Sequence, residues 1–177
     1  MTELCDIATT HGTDKGPRGW GYTKTYFEWL NASRQTVATV LEVGVWQGFS
    51  LRTWRDFFSN AQVYGIEIEP GWQCNEERIK TFCADGYNRD QMQPIMHEIG
   101  PVDFFVDDAV HRVPQQTDLL AFMWPFIRSG GVYAIEESIQ SEIPSIQAAI
   151  AALPDVERSE FFPADGTYAL TLLRKRG

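Results

Sequence analysis

From Thr36 onward, apolar runs of strand length alternate with amphipathic stretches of helix length. This alternation is typical of parallel β-strands joined by crossover helices. The predicted strands are Val37–Val43, Gln62–Ile68, Val102–Val106, Val132–Glu136, Val156–Phe162 and Tyr168–Leu173. The predicted helices are Tyr22–Leu30, Ser50–Phe58, Cys74–Phe82, Val113–Ile127 and Pro144–Leu153.

The final two strands are predicted to form an antiparallel hairpin, because Asp165-Gly166 between them is a turn-forming dipeptide. The run Val102–Val106 is apolar on both faces, as expected for a central strand covered by helices on both sides. We therefore predict an α/β fold with a mainly parallel sheet and helices on both faces. The 177 residues fit a single domain, with its core over residues 36–177. A glycine-bearing loop and a short helix are predicted over residues 1–35.

Charge and composition exclude several classes of partner. The chain has 15 basic and 24 acidic residues, a formal charge of −9, and such a surface repels a phosphate backbone, so no nucleic-acid partner is expected. No apolar run reaches the roughly 18–20 residues of a membrane span, and no secretory signal pattern is present. We therefore expect no membrane association and a cytoplasmic location. Three cysteines without CxxC spacing, Cys5, Cys74 and Cys83, predict free thiols.

A glycine-rich turn follows the first predicted strand. The segment Glu42-Val43-Gly44-Val45-Trp46-Gln47-Gly48-Phe49-Ser50 has GxxxG spacing rather than GxGxxG, which disfavours a dinucleotide. A ligand with an amino-acid tail and no phosphates fits it better, although such glycines can also serve the turn alone. Glu67 closes the second predicted strand 25 positions after Glu42, near the separation at which a carboxylate binds ribose hydroxyls.

Acidic residues and a histidine follow two further strands. Asp107, Asp108 and His111 come after Val102–Val106, and Glu136 and Glu137 end the next strand. Neighbouring parallel strands lie about 4.8 Å apart, so Asp108, Glu136 and Glu137 are expected to converge. Their mutual repulsion favours a bound cation, and an all-oxygen set suits Mg²⁺ or Mn²⁺. The alternative is a group of solvated loop acids in which Asp107 or Asp108 caps the next helix.

These motifs resemble those of class I S-adenosylmethionine-dependent methyltransferases. The glycine turn resembles E-x-G-x-x-x-G-[FY]-S, and the span from Leu41 to about Ser138 resembles the metal-dependent macrolide sugar O-methyltransferases, whose pattern is D-D-G-[SA]-H followed by I-E-D. Here Ala109 replaces the glycine and Glu137 replaces the aspartate, which puts the metal geometry in question. The segment from His11 to Gly16, followed by Gly21-Tyr22-Thr23, resembles G-T-D-K-G followed by H-x-Y-T.

The resemblance implies a Rossmann-like methyltransferase core, with residues 1–35 folding over cofactor and acceptor. It assigns His111 as the catalytic base, which accepts a proton near neutral pH. The predicted metal ligands are Asp108, Glu136 and Glu137. The predicted S-adenosylmethionine contacts are Glu42, Gly44, Gly48, Ser50, Glu67, Asp85 and Asp107, and the predicted substrate contacts are Lys15 and Tyr22.

Together these features predict an S-adenosylmethionine- and divalent-metal-dependent O-methyltransferase. Its acceptor would be a small hydroxylated molecule, such as a saccharide or related diol, and a homo-oligomer is possible. The alternatives are a cofactor-binding partner protein without catalysis and a hydroxylase-like relative on the same fold. Core packing is expected for Trp20, Trp46 and Trp72, in preference to stacking on a sugar.

Overall fold

A single seven-stranded sheet organises the protein, in a computed structural model that describes all 177 residues. The strands are β1 (Thr39–Val43), β2 (Gln62–Glu67), β3 (Ile79–Cys83), β4 (Val102–Asp107), β5 (Ile127–Ile139), β6 (Val156–Pro163) and β7 (Tyr168–Lys175). Their spatial order is β3-β2-β1-β4-β5-β7-β6. The first five strands are parallel, and β7 is antiparallel to both β5 and β6. The predicted α/β fold with a C-terminal hairpin is confirmed.

Six helices cover the two faces of this sheet. They are α1 (Glu3–His11), α2 (Tyr22–Leu30), α3 (Phe49–Phe57), α4 (Arg89–Ile99), α5 (Val113–Met123) and α6 (Ile143–Ala151). Helices α1–α3 supply Leu4, Tyr26 and Trp54 to the hydrophobic core on one face. Helices α4–α6 supply side chains such as Leu120 and Ile146 to the core on the other face. None of the helices has the length and apolar character that crossing a bilayer requires.

The helix predicted over Cys74–Phe82 is wrong. Residues 79–83 instead form β3, which pairs in parallel with β2 at the edge of the sheet. Ile79 and Thr81 are buried while Lys80 between them is exposed, which is the two-residue period of a strand. The charged residues that give this segment its amphipathic pattern lie at the surface, where Glu76 forms an ion pair with Arg52.

Two helices were not predicted. Helix α1 lies where a loop was expected, and the side chain of Thr2 caps it by accepting from the backbone N–H of Cys5. Helix α4 begins after Asn88, whose side chain accepts from the N–H groups of Asp90 and Gln91, and it contains Pro94. A proline in a helical pattern normally indicates a helix end, and for this reason α4 was not predicted.

The predicted helix Val113–Ile127 is too long. Helix α5 ends at Met123, a short 3₁₀ helix covers Trp124–Phe126, and β5 begins at Ile127. Pro125 lacks a backbone N–H and cannot continue the α-helical hydrogen bonding. Strand β5 is correspondingly longer than predicted and runs through the glycine pair Gly130-Gly131.

The strand order reverses between β1 and β4, since β2 and β3 follow on one side and β5 on the other. In an open α/β sheet, ligands bind beyond the carboxyl ends of the strands at such a reversal. Gly44 follows β1 and Asp108 follows β4, so the predicted site residues lie at this position.

Candidate active site

A cleft of about 340 Å³ opens at the carboxyl ends of β1, β2, β4 and β5. One wall is the loop after β1 together with the end of β2, and the other is the segment after β4 together with the N-terminal segment. Its lining includes seven of the predicted site residues: Lys15, Gly44, Ser50, Glu67, Asp108, His111 and Glu137. The cleft thus joins part of the predicted cofactor, metal and substrate residues. The predicted residues outside its lining are Tyr22, Glu42, Gly48, Asp85, Asp107 and Glu136.

Gly44 allows the β1 loop to pass close to the segment after β4. Its φ is +93°, and an added Cβ would lie 2.1 Å from the carbonyl oxygen of Asp108. No other residue fits this position without a shift of the backbone. Gly48, with φ of +75°, lies immediately before α3, and an added Cβ would lie 2.8 Å from Cys74 Sγ. The close approach at Gly44 puts the glycine loop and the acidic segment side by side.

Glu67 holds the glycine loop in place. Its Oε2 accepts hydrogen bonds from the backbone N–H groups of Val45 and Trp46, at 3.0 and 2.9 Å, and its Oε1 accepts from the N–H of Glu69 at 3.0 Å. Its side chain borders the cleft. The ribose contact of Glu67 stays a prediction, but the structure already assigns this carboxylate a role in loop geometry.

Glu42 lies below the floor of the cleft, and Ser50 lies at the edge of the cleft. The Glu42 carboxylate is fully buried and accepts from the Ser50 hydroxyl at 2.7 Å and the Trp54 indole N–H at 2.6 Å. Burial raises the pKa of Glu42, although the nearby Lys15 ammonium opposes this. Glu42 therefore supports the loop from beneath and does not itself line the cleft.

A smaller hollow of about 80 Å³ adjoins the cleft and shares Gly44 and Glu67 with it. Asp85 lines this hollow, and its Oδ1 accepts from the backbone N–H of Tyr87. Asp107 is fully buried behind it and accepts from the Tyr87 hydroxyl at 2.8 Å, while its Oδ2 has no partner. Burial raises the pKa of Asp107 to about 7. Asp107 thus lines neither the cleft nor the hollow, and its partner Tyr87 lines the hollow.

Lys15 brings a positive charge into the centre of the acidic cluster. Its side chain is 1 % exposed, and its Nζ donates to Asp108 Oδ2 and, at 2.9 Å, to Glu136 Oε2. Glu42 Oε1 lies 3.4 Å from the same nitrogen. Burial opposes this charge, but the three carboxylates raise the pKa of Lys15 well above its usual value. The ammonium therefore stays protonated.

His111 joins Asp108 to Glu137. Its Nε2 lies 3.1 Å from Asp108 Oδ1 and its Nδ1 lies 3.0 Å from Glu137 Oε2. Burial would lower the pKa of His111, but hydrogen bonds to both carboxylates raise it to about 10. In this form of the protein the ring is an imidazolium that donates from both nitrogens.

A β-bulge lets two consecutive glutamates reach the same site. Side chains of consecutive strand residues normally point to opposite faces. The pairing of β5 with β7 shifts register between Ile135 and Ser138, and Glu137 has a left-handed backbone with φ of 51°. Such a bulge redirects side chains. Glu136 consequently contacts Lys15, and Glu137 contacts His111.

Glu136 is the more deeply buried of the two. Its side chain is 1 % exposed, and its Oε1 accepts from the Tyr26 hydroxyl at 2.5 Å. Burial raises the pKa of Glu136 to about 8, against the effect of Lys15. By contrast, the pKa of Asp108 is lowered, because Lys15 and His111 outweigh its burial. The structure thus places Asp108 between two cationic groups.

The donor set fits a divalent cation. Ligand atoms of Asp108, His111 and Glu137 lie within 4.8 Å of one another at the cleft. Glu136 is joined to Asp108 through the Lys15 ammonium. Two of the three clustered donors, Asp108 and Glu137, are carboxylates, the type of ligand that a divalent cation such as Mg²⁺ prefers. The assignment of Asp108, Glu136 and Glu137 as its ligands stays a prediction.

Asp107 and Asp108 do not cap α5. The residue before this helix is Arg112, and no side chain accepts a hydrogen bond from its first turn. The alternative in which these aspartates serve as helix caps is therefore wrong.

The expected core packing of Trp46 and Trp72 is also wrong. Their side chains are 51 % and 44 % exposed, they border the cleft, and their rings meet edge to face at 6.4 Å. Trp20 packs partly buried on Tyr22. Tyr22 itself is 4 % exposed, and burial raises the pKa of its hydroxyl.

Tyr26, Tyr87 and the bulge at Glu137 were missed by the sequence analysis. Tyr26 lies in α2, 110 positions before the Glu136 carboxylate that its hydroxyl contacts. Tyr87 lies 20 positions before Asp107. No local spacing connects such distant residues, so the sequence carries no signal for either contact.

No known protein-family model matches this sequence. Solved structures do match it. The MycE methyltransferase of the mycinamycin biosynthetic pathway, in complex with Mg and SAH, superposes with a TM-score of 0.83 at 23 % identity, over 99 % of this chain and 55 % of that one. This chain has the class I methyltransferase fold. A putative ribosomal RNA methyltransferase from Plasmodium falciparum, at 11 % identity and a TM-score of 0.70, shares the same methyltransferase fold.

The sequence resemblance to sugar O-methyltransferases is likewise confirmed. The chain is 31 % identical over 156 residues to 8-demethyl-8-alpha-L-rhamnosyl tetracenomycin-C 2'-O-methyltransferase of Streptomyces olivaceus, covering 82 % of this chain and 40 % of the relative. It is 32 % identical over 143 residues to mycinamicin VI 2''-O-methyltransferase of Micromonospora griseorubida, covering 76 % of this chain and 36 % of the relative. The chain thus spans well under half the length of these curated methyltransferases.

Proposed function

We propose that this protein is an S-adenosylmethionine- and divalent-metal-dependent O-methyltransferase that acts on a saccharide hydroxyl. The observation that carries the proposal is the meeting of Asp108, Glu137 and His111 in the cleft that also holds Gly44 and Glu67. Glu136 is buried beside this cleft and is linked to Asp108 through the Lys15 ammonium. A cofactor-binding module alone would not need three clustered ionisable groups in its cleft.

The relatives support the acceptor class. Two of them are named for 2'- and 2''-O-methylation, one on a rhamnosyl tetracenomycin and one on mycinamicin VI. The MycE methyltransferase has been solved with Mg, SAH and mycinamycin VI. The present chain would accordingly take a hydroxylated small molecule that carries a sugar.

S-adenosylmethionine, when bound, supplies an electrophilic methyl group, and a divalent ion held by Asp108, Glu136 and Glu137 lowers the pKa of a nearby hydroxyl. The protein's own residues form the cleft and orient the reactants. Glu67 fixes the glycine loop that forms one wall, and the exposed rings of Trp46 and Trp72 border the entrance. These groups would orient the two reactants, and such orientation can supply a large part of a rate enhancement.

His111 is the proposed proton acceptor. Its two nitrogens are held by Asp108 and Glu137 when no other cation is present, and this keeps the ring protonated. If Asp108 and Glu137 held a divalent ion, His111 would lose the charge of its anionic partners and its pKa would fall. The neutral ring accepts the hydroxyl proton at Nε2, which lies on the Asp108 side.

Isothermal titration calorimetry with SAH, with and without Mg²⁺, and a methyl-transfer assay on a panel of rhamnosides test the proposal. We expect SAH binding, transfer that is abolished by EDTA, and loss of Mg²⁺ binding in Asp108→Asn. Asp118→Asn is a matched control, because Asp118 is an exposed aspartate of α5 outside the cleft. SAH binding without any transfer to saccharides, in the presence of Mg²⁺, would contradict the proposed activity.

A further inference from the structure

The Lys15 ammonium has three carboxylate neighbours. An ammonium carries three N–H groups. Those of Lys15 face Asp108, Glu136 and Glu42, the last at 3.4 Å. The side chain is 1 % exposed although its residue borders the cleft. The ammonium thus donates two hydrogen bonds within the protein and has a third carboxylate neighbour in Glu42.

The backbone around Lys15 is fixed as well. Its carbonyl oxygen accepts from the N–H of Thr23 at 3.1 Å, at the start of α2. The N–H of Trp20 donates to the Asp14 carbonyl at 2.7 Å, and Gly19 packs so tightly on Asp14 that an added Cβ would lie 2.0 Å from that oxygen. The loop between α1 and α2 thus has one conformation, which aims the lysine into the sheet.

The carboxylates that Lys15 contacts come from three adjacent strands or strand ends. Glu42 belongs to β1, Asp108 follows β4 and Glu136 belongs to β5. Without an internal cation, three buried or nearly buried carboxylates would repel one another at the centre of the sheet. His111 does not compensate them all, because it contacts only Asp108 among the three.

We propose that Lys15 is a positioning residue that serves as the internal counter-ion of the carboxylate cluster. Its ammonium holds the Asp108 and Glu136 carboxyl groups together before any divalent ion binds. The N-terminal segment is then part of the proposed metal site. The inference deepens the proposed metal-dependent function, but its first readout concerns the metal-free protein and does not depend on that function.

Thermal unfolding of Lys15→Met, without divalent ions and with saturating Mg²⁺, tests the inference. We expect the metal-free Tm to fall by about 10 °C, because one partner of a buried ion pair is removed. Mg²⁺ compensates the same carboxylates, so its stabilising shift should be several degrees larger in Lys15→Met than in the wild type. Lys24→Met is the matched control, since Lys24 is an exposed lysine of α2 without an ion pair, and it should leave both values unchanged.

The double variant Lys15→Met/Glu136→Gln separates charge compensation from simple loss of packing. Removing the uncompensated carboxylate should recover part of the metal-free Tm that Lys15→Met loses, whereas Glu136→Gln alone should lower the Tm. If Lys15→Met does not fold, a folded double variant supports the inference and an unfolded one overturns it. A double variant no more stable than Lys15→Met also overturns it. Absence of any Mg²⁺ shift in the wild type would instead count against the proposed function.

Discussion

The imidazole of His111 and the carboxylate of Glu137 meet at 3.0 Å, and both residues have a left-handed backbone, with φ of 49° and 51°. For a residue with a side chain this conformation costs on the order of 1 kcal/mol or more. Trp46, across the cleft, has φ of 48°. Three strained residues on one cleft indicate that their side-chain directions are maintained at a cost in stability.

The strained backbone at Glu137 predicts that glycine at this position gives a more stable protein than alanine, the reverse of the usual order. Both Glu137→Gly and Glu137→Ala remove the ion pair with His111, but only glycine relieves the left-handed backbone. Glu137→Gly should therefore be more stable than Glu137→Ala by about 1 kcal/mol, or about 2–4 °C in Tm. Differential scanning calorimetry of the metal-free variants measures this. Equal Tm values would show that the β5 bulge relaxes once the ion pair is gone.

His111→Ala should lower kcat by about 10²- to 10⁴-fold, the usual contribution of a positioned general base. SAH affinity should be unchanged, because the glycine loop is held by Glu67 and not by His111. Transfer assays and SAH calorimetry check the two expectations separately. His97→Ala is the control, since His97 is a histidine of α4 whose ring contacts only Gln93. A His111→Ala enzyme with wild-type kcat would remove the imidazole from the mechanism.

Gly44→Ala should destabilise the protein more than Gly12→Ala does. Both glycines have positive φ, +93° and +79°, but only at Gly44 does an added Cβ meet another atom, the Asp108 carbonyl oxygen at 2.1 Å. Gly12→Ala should cost about 1 kcal/mol, for the backbone alone. Gly44→Ala should cost about 3 kcal/mol, because the loop or the Asp108 segment must also move. Urea unfolding of both variants gives the comparison, and similar midpoints would mean that the two segments separate easily.

The sequence predicted the sheet well because its central strands are buried on both faces. The run Val102–Val106 has no competing interpretation as a surface helix, and β4 indeed covers Val102–Asp107. At the sheet edge the pattern is weaker. Residues 74–82 resemble an amphipathic helix in composition, and only the pairing of Ile79 with Val63 shows a strand. At the edge strand β3, which has a neighbour on one side only, pairing with β2 therefore determines the structure in place of the local sequence pattern.

The sequence predicts which residues form the site, but it does not predict which of them contact each other. The position of Asp108 and of the Glu136-Glu137 pair after neighbouring strands follows from parallel-sheet geometry. The partner that each glutamate takes depends on the β5 bulge, and a bulge in the middle of a strand has no local sequence signature here. The insertion of Lys15 depends on how the loop between α1 and α2 packs against the sheet, which strand spacing does not determine.

The ion pairs of Glu76, just before β3, predict how the free energy of unfolding depends on pH. A hydrogen bond from Arg52 lowers the pKa of Glu76, which also pairs with Arg55 at 3.0 Å. A carboxylate whose folded pKa is lowered stabilises the protein above its unfolded value of 4.5, and this contribution is lost as the pH falls through the folded pKa. Glu76→Gln should therefore lose at most about 1 kcal/mol at pH 7, because the pair is partly exposed, and less at pH 3.

The neighbouring Glu77 provides the matched control, as an exposed glutamate of the same segment that makes no ion pair. Glu77→Gln should leave the dependence of unfolding free energy on pH unchanged between pH 7 and pH 3, whereas Glu76→Gln should flatten it. The slope is measured by urea unfolding at a series of pH values, since it reports the difference in bound protons between the two states. If both variants keep the wild-type slope, the Glu76 ion pairs make no net contribution, and the edge strand β3 is held by its pairing with β2 alone.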